Sequence, residues 1–154
     1  MKLFRFSTIK TFVIFFTFCL ISKASIKSME SLKSDKNPLN VFGDALKSCK
    51  EGTGFYRNGS CNTGEDDHGT HVVCAIVDDR FLEYTKRKGN DLSTPRLPYL
   101  AGLKNGDHWC LCGFRFEEAR KAGYAPKIIP ESTHIKALEF TPMHILKEYF
   151  VEKK

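Results

Sequence analysis

The stretch that decides the fold is His71-Val-Val-Cys-Ala-Ile-Val77, followed by Asp78-Asp-Arg-Phe-Leu-Glu-Tyr84 and then by Gly89. Its first part is an unbroken apolar run rich in β-branched residues, which predicts a buried strand. Asp78 or Asp79 then predicts a helix N-cap, and the apolar side chains after it lie at helical spacing as far as Gly89. A buried strand that leads directly into a helix indicates a domain of mixed α and β structure.

The chain on either side of this stretch adds shorter elements. His108-Trp-Cys-Leu-Cys112 predicts a second core strand. The other predicted elements are a hairpin at Asn58-Gly59 beside Phe55-Tyr56, a loop over 90–98, a helix over 114–121 ended by Gly123, a short strand over 127–129, a helix from Ser132 or Thr133 to Phe140, and a last helix that Pro142 opens. Because strands and helices alternate without regular βαβ spacing, we predict an α+β fold, a single compact two-layer α/β sandwich.

The positive charge of the chain belongs mainly to its first 40 residues. The 154 residues carry a net charge of +6, and residues 1–40 contain seven Lys or Arg and two acids, which leaves +1 for residues 41–154. The one basic cluster of the later part, Lys86-Arg87-Lys88, falls at the end of a predicted helix, where positive charge is favourable. Nucleic-acid binding requires clustered basic residues on the folded part, so we predict no nucleic-acid partner.

The N-terminal segment has the pattern of a secretory signal peptide. Basic residues precede the apolar run Phe12–Ile21, and Ser22-Lys23-Ala24 has the small residues of a cleavage site. We therefore predict a signal peptide over 1–24, a polar linker over 25–38 and a domain over 39–154, with no stable membrane span after the leader is removed. The protein is expected to be secreted or to continue to an organelle such as a plastid. A start at Met29 would instead give a cytosolic form.

Several long motifs resemble one family. They are Asn40-Val-Phe-Gly43, Gly54-Phe-Tyr-Arg-Asn-Gly-Ser-Cys-Asn-Thr-Gly64, His71-Val-Val-Cys-Ala75, Gly89-Asn-Asp-Leu-Ser-Thr-Pro95, Gly102-Leu-Lys-Asn-Gly-Asp-His-Trp-Cys-Leu-Cys112 and Thr133-His-Ile-Lys-Ala-Leu138. In this order they resemble the domain-of-unknown-function family 2237, a bacterial-type family, over roughly residues 40–150. The resemblance implies a compact α+β domain and no particular reaction. The chain departs from the family pattern at Ser60 and at His108.

Five cysteines remain when the leader's Cys19 is set aside, so they cannot all pair within one chain. Cys110 and Cys112 lie two residues apart on one predicted strand, where their Cβ atoms point in parallel, and they should not bond to each other. Cys61 lies in a glycine-rich turn near Arg57, which predicts the most accessible thiol of the domain. Cys61 with His71, or with His68, could form the Cys–His arrangement of a thiol-dependent enzyme. The alternative is a turn cysteine without chemistry.

Metal and cofactor binding are not predicted. His108, Cys110 and Cys112 share one face of a strand and suit zinc, but the second ligand pair of a structural zinc site is missing. Glu65-Asp66-Asp67 lacks the alternating spacing of a calcium-binding loop. We therefore predict no metal and no cofactor, and we interpret the strand cysteines as small buried hydrophobic residues.

Polar residues in two loops indicate a site for a small polar or anionic ligand. The candidates are Arg57, Asn62, Asn90, Asp91, Ser93 and Thr94. If the two loops converge, Arg57 would supply a planar fork of donors to the ligand. The same side chains could instead satisfy the backbone of their own loops as Asx and Ser/Thr turns. Trp109 is predicted to lie in the core. Three functions stay open: a ligand-binding domain, a thiol-dependent enzyme using Cys61, and a non-catalytic interaction module.

Overall fold

The computed structural model describes residues 36–152, which contain a three-stranded antiparallel sheet. Its strands are β1 (Val73–Ile76), β2 (His108–Leu111) and β3 (Lys127–Ile128), with β1 in the centre. β1 and β2 pair so that Val73 lies opposite Leu111 and Cys74 opposite Cys110. The three predicted strands are confirmed in position, although each is shorter than the apolar run that predicts it.

Three α-helices accompany the sheet: α1 (Asp79–Arg87), α2 (Gly113–Lys121) and α3 (Met143–Leu146). α1 begins as predicted, because a side-chain oxygen of Asp78 accepts a hydrogen bond from the Phe81 N–H at 2.8 Å. Short 3-10 helices cover Pro130–Ser132, Ile135–Glu139 and Lys147–Tyr149. The α+β class is therefore confirmed. No helix within residues 36–152 has the length and apolar character to cross a membrane.

The predicted helix from Ser132 or Thr133 to Phe140 is wrong in its cap and in its type. The residues form two 3-10 helices, and the cap of the second is His134, whose Nδ1 accepts a hydrogen bond from Lys136 N–H at 3.1 Å. The Thr133 hydroxyl instead donates to the Ile129 carbonyl at 2.8 Å and accepts from the Cys74 N–H at 3.1 Å. Thr133 is thus bonded to the sheet and cannot cap a helix.

The predicted hairpin at Asn58-Gly59 is also wrong, because residues 52–64 form a turn-rich loop without strands. We call these residues the glycine loop. A Cβ on Gly54 would lie 2.1 Å from the Ser60 carbonyl oxygen, so the loop can fold back on itself only with glycine there. This close return replaces the strand pairing that a hairpin requires.

The two faces of β1 belong to different clusters, as expected from the alternation of side chains along a strand. Val73 and Ala75 belong to the main apolar core, together with Phe81 of α1 and Phe116 of α2. Cys74 belongs to a separate cluster, which consists of the buried residues Cys61, Cys74 and Cys110 with the partly buried Cys49 and Ile129. We call the four cysteines of this second cluster the sulfur cluster. It connects the sheet to both ends of the segment 49–61.

The sulfur cluster contains two disulfides. Cys49 bonds to Cys74 and Cys61 bonds to Cys110, with Cα–Cα distances of 5.7 and 5.2 Å. Among the described residues, Cys112 is the free cysteine. The prediction that Cys110 and Cys112 do not bond to each other is therefore confirmed.

Candidate functional site

A cavity of about 480 Å³ opens between the glycine loop and residues 90–100, which we call the polar loop. Its volume falls in the range of small-molecule sites. The lining combines aromatic, cationic and amide side chains with one histidine. These residues are Phe55, Arg57, His71, Asn90, Arg96, Tyr99 and Trp109. The cavity can therefore offer both apolar contact and positive charge to a ligand.

Arg57 is held over an aromatic ring at the wall of this cavity. Its guanidinium carbon lies 4.9 Å from the centre of the Trp109 ring. The backbone of Arg57 adopts a φ of +57°, which is uncommon for a residue other than glycine. Among residues 36–152, no carboxylate lies within ion-pair distance of its guanidinium. The loop thus carries a cation that has no counter-charge within the described part of the chain.

His71 lines the same cavity and is oriented by a buried carboxylate. Its Nδ1 lies 2.6 Å from Oδ1 of Asp67, whose side chain is fully buried. The other oxygen of Asp67 accepts hydrogen bonds from the Thr63 hydroxyl at 3.0 Å and from the His71 N–H at 2.7 Å. A carboxylate on Nδ1 favours the tautomer that carries its proton there. The Nε2 atom is then the hydrogen-bond acceptor of the ring.

The backbone before His71 is shaped to make room for its ring. A Cβ on Gly69 would lie 2.4 Å from the imidazole Cε1 atom, so a larger residue would displace the ring. Thr70 adopts a φ of +48°, a strained value for a β-branched residue. The imidazole also stacks on Phe55, with 6.1 Å between ring centroids. The ring is therefore fixed by its neighbours on several sides.

Comparison with known proteins decides the family. Residues 39–150 match the family of uncharacterized proteins conserved in bacteria, DUF2237. The chain belongs to this family. The resemblance predicted from the sequence motifs is thereby confirmed. No curated protein gives a significant match. All the cavity residues named above lie within the part of the chain that matches DUF2237.

Within this DUF2237 domain, the structure separates the six predicted ligand residues into two groups. Arg57 and Asn90 line the cavity, and the Asn90 amide donates to the Thr85 hydroxyl at 3.1 Å. The remaining four, which do not belong to its lining, are Asn62, Asp91, Ser93 and Thr94.

Asp91 serves to close the polar loop. Its carboxylate accepts hydrogen bonds from the hydroxyls and the backbone N–H groups of both Ser93 and Thr94. These bonds, those of Thr94 above all, hold the pKa of the Asp91 carboxyl well below its usual range. Asn62 is buried and accepts from the Thr63 N–H at 2.8 Å. The local-turn interpretation therefore describes Asp91, Ser93 and Thr94.

The prediction that Cys61 is an accessible thiol is wrong. Cys61 is completely buried, and its sulfur is bonded to Cys110. A glycine-rich turn usually lies at the surface, but here the return of the loop at Gly54 carries Cys61 inward to the sheet. A nucleophile requires a free sulfur, so the Cys61–His71 arrangement does not exist while this disulfide is intact. The same bond removes Cys110 from the zinc ligands weighed with His108 and Cys112.

The sequence interpretation missed two features of the site. The run Glu65-Asp66-Asp67 was considered only as a calcium-binding loop, although the spacing of four residues between Asp67 and His71 is a usable signal of their contact. Trp109 was predicted to be core; it packs against the core while only partly buried and also lines the cavity.

A smaller cavity of about 240 Å³ adjoins the first. It shares His71, Asn90, Leu92 and Trp109 with the larger cavity and adds Cys112 and Arg115. The oriented histidine and the free cysteine of the described chain therefore line one space.

Proposed function

We propose that this domain binds a small organic anion with a planar or apolar body in the cavity between the glycine loop and the polar loop. The observation that carries the proposal is the guanidinium of Arg57, which lies on Trp109 at the cavity wall without a carboxylate partner among the described residues. A guanidinium presents five N–H donors in a planar fork that matches carboxylate and phosphate groups.

The rest of the lining suits the same class of ligand. Arg96 lies on the opposite loop, and one of its guanidinium nitrogens donates to the Asp91 backbone carbonyl, so it adds positive charge at a defined place. Phe55, Tyr99 and Trp109 offer aromatic surface against which a planar body can pack. This combination of a few polar groups on a mainly apolar wall is typical of small-molecule sites.

Trp109 provides a direct test, because it is the only tryptophan of the chain. Titration of the protein with benzoate or phenyl phosphate should change its fluorescence in a saturable way, whereas the neutral analogue benzyl alcohol should bind more weakly. Arg57→Ala removes a charge-assisted hydrogen bond of about 1.5–3 kcal/mol, so binding should weaken by roughly 10–100-fold.

Arg80→Ala is the matched control, because Arg80 also lies over an aromatic ring, that of Tyr124 at 5.6 Å, but outside the cavity. The Arg80→Ala variant should bind the same anions with the affinity of the wild type. The absence of saturable binding, or equal affinities for wild type and Arg57→Ala, would refute the proposal.

A second candidate, a thiol-dependent enzyme, is favoured by the cavity that His71 and the free Cys112 share. In this proposal the nucleophile is Cys112, with His71 as its base and Asp67 as the residue that orients the base. The rate of Cys112 alkylation should then follow a pH profile that His71→Gln displaces to higher pH. Identical profiles for wild type and variant would exclude this function.

We further propose a two-layer arrangement, with the helices packed on one face of the sheet.

We also propose that the protein enters the secretory pathway through the leader. The leader lies outside the described residues. N-terminal sequencing of the protein from its own cells tests this route: the expected product begins after Ala24, whereas an intact Met1 would contradict it. A product that begins at Met29 would identify the cytosolic form.

A further inference from the structure

We propose that the four residues of the sulfur cluster, Cys49, Cys61, Cys74 and Cys110, hold one soft divalent metal ion of the zinc class when the protein is reduced. The proposal does not depend on the ligand-binding function. The sulfur atoms of Cys49, Cys61 and Cys110 all lie within 4.8 Å of one another. The fourth sulfur, that of Cys74, lies outside this group of three but is bonded to the Cys49 sulfur, so it adjoins one of its members.

A tetrathiolate site requires a moderate rearrangement of these sulfurs. Tetrahedral coordination with zinc–sulfur bonds of about 2.3 Å places the sulfurs about 3.8 Å apart, so after reduction the two bonded pairs must separate while the sulfurs of different pairs approach each other. Cys74 and Cys110 lie opposite each other on β1 and β2 and provide a fixed half of the site. The other half comes from both ends of one loop segment, at Cys49 and Cys61.

The surroundings also fit a metal site. Cys61, Cys74 and Cys110 are at most 1% exposed, so the site is shielded from water. The Thr53 hydroxyl lies 3.5 Å from the Cys110 sulfur. In the disulfide form this hydroxyl donates to the Lys50 carbonyl at 2.7 Å, and it would have to turn from that acceptor to donate to a ligating thiolate, as outer partners of metal ligands do. Cys112 forms neither disulfide and lies outside the group of converging sulfurs, whereas Cys74 is joined to that group through Cys49.

Reduction of the disulfides and binding of the metal are two separate steps. An external dithiol or phosphine reductant supplies four electrons, and with four protons these convert the two disulfides into four thiols. Binding of the metal ion then displaces four protons and gives a tetrathiolate complex, because the ligand of zinc is the thiolate. The ion neutralises half of the charge that four buried thiolates would carry, and burial of such charge without a partner is costly.

The metal would preserve the position of the glycine loop in a reducing compartment. The disulfides attach both ends of the segment 49–61, which includes Arg57, to the sheet. Without disulfides and without metal, these attachments are lost. A product that begins at Met29 would meet such reducing conditions, so the same four residues can serve the domain in either compartment.

Cobalt titration of the reduced full chain tests the proposal. The protein carries Cys19→Ser, which removes the leader cysteine from the measurement, and is reduced with a phosphine that is then removed under anaerobic conditions. We expect one Co²⁺ per chain, with a thiolate-to-metal charge-transfer band in the near ultraviolet and the visible bands of tetrahedral cobalt. Zn²⁺ should abolish these bands by displacement.

The controls separate this site from adventitious binding. Cys112→Ser should bind cobalt with unchanged spectra, whereas Cys61→Ser should lose the tetrahedral bands or weaken binding at least tenfold. The oxidised wild-type protein should give no cobalt bands. Circular dichroism verifies that this protein is folded, so this control does not depend on any variant. The proposal is overturned if the reduced protein gives no tetrahedral cobalt spectrum, if Cys112→Ser abolishes it, or if the oxidised protein gives the same spectrum.

Discussion

At the residue scale, the turn from Asp67 to His71 is held by several contacts that place His71 in the cavity wall. Among residues 36–152, Asp67 is the one acidic residue that is buried, and it accepts three hydrogen bonds, one from Thr63 and two from His71. Gly69 has no side chain and so allows the His71 ring to approach closely, and Thr70 adopts the left-handed backbone that this turn requires. Strain of this kind is typical of functional sites, where neighbouring contacts hold the backbone in place.

Asp67→Asn should destabilise the domain, because the amide cannot accept all three hydrogen bonds and introduces a buried donor. The expected loss is about 1–3 kcal/mol in the free energy of unfolding, measured by urea denaturation. Asp66→Asn in the same turn is the control: Asp66 is exposed, so its effect should stay within about 0.5 kcal/mol. Equal effects of the two substitutions would show that the Asp67–His71 contact does not hold the turn.

At the scale of elements, helix α2 is joined to the C-terminal part of the chain through Glu117. The Glu117 carboxylate accepts two hydrogen bonds from the Arg120 guanidinium, at 2.6 and 2.9 Å, and one from the Thr141 hydroxyl at 2.7 Å. Its side chain is only 13% exposed. The hydrogen bond from Arg120, followed by that from Thr141, lowers the pKa of Glu117 from 4.5 to about 2 despite the opposing effect of burial.

Stability should therefore depend on pH through Glu117. A pKa lowered by folding contributes stability that is complete above the unfolded value of 4.5 and is lost as the pH falls towards 2. Glu117→Gln should reduce the free energy of unfolding at pH 7 by about 1–3 kcal/mol, and the difference from wild type should shrink between pH 4.5 and 2.

Glu118→Gln is the control for this substitution, because Glu118 pairs with Arg115 and this pair is more exposed than the pair of Glu117 with Arg120. Its effect should be about 0–1 kcal/mol. A Glu117→Gln deficit that persists undiminished at pH 2 would contradict the role of ionisation.

The elements also show what could be predicted from sequence. Local signals sufficed for β1 and α1, because a β-branched run and an aspartate cap act through their immediate neighbours. They failed for the glycine loop and for residues 132–140, where distant contacts decide the structure. Cys61 lies inward because Cys110, 49 residues along the chain, bonds to it, and Thr133 bonds to β1. The sequence analysis placed Arg57 and Asn90 at one site only on the condition that their two loops converge. In the structure both residues line the same cavity.

At the scale of the whole molecule, two crossed disulfides compensate for a small sheet. Cys49–Cys74 and Cys61–Cys110 span 25 and 49 residues, and the two intervals overlap along the chain. Closing loops of these lengths in the unfolded chain stabilises a protein by about 3–4 kcal/mol each in the chain-entropy description. The two disulfides chiefly stabilise the glycine loop, which has no regular secondary structure of its own.

The pattern of thiol labelling should report this arrangement. In the folded, unreduced protein, alkylation followed by peptide mapping should label Cys112 and leave the other four domain cysteines unmodified. Unfolding in urea without reductant should still leave Cys61 unlabelled, because a disulfide stays closed when burial is lost, whereas a thiol protected only by burial would react. Reduction before unfolding should make all five reactive, and Cys112→Ser should remove the first label alone. Labelling of Cys61 in urea without reductant would disprove its disulfide and restore it as a candidate nucleophile.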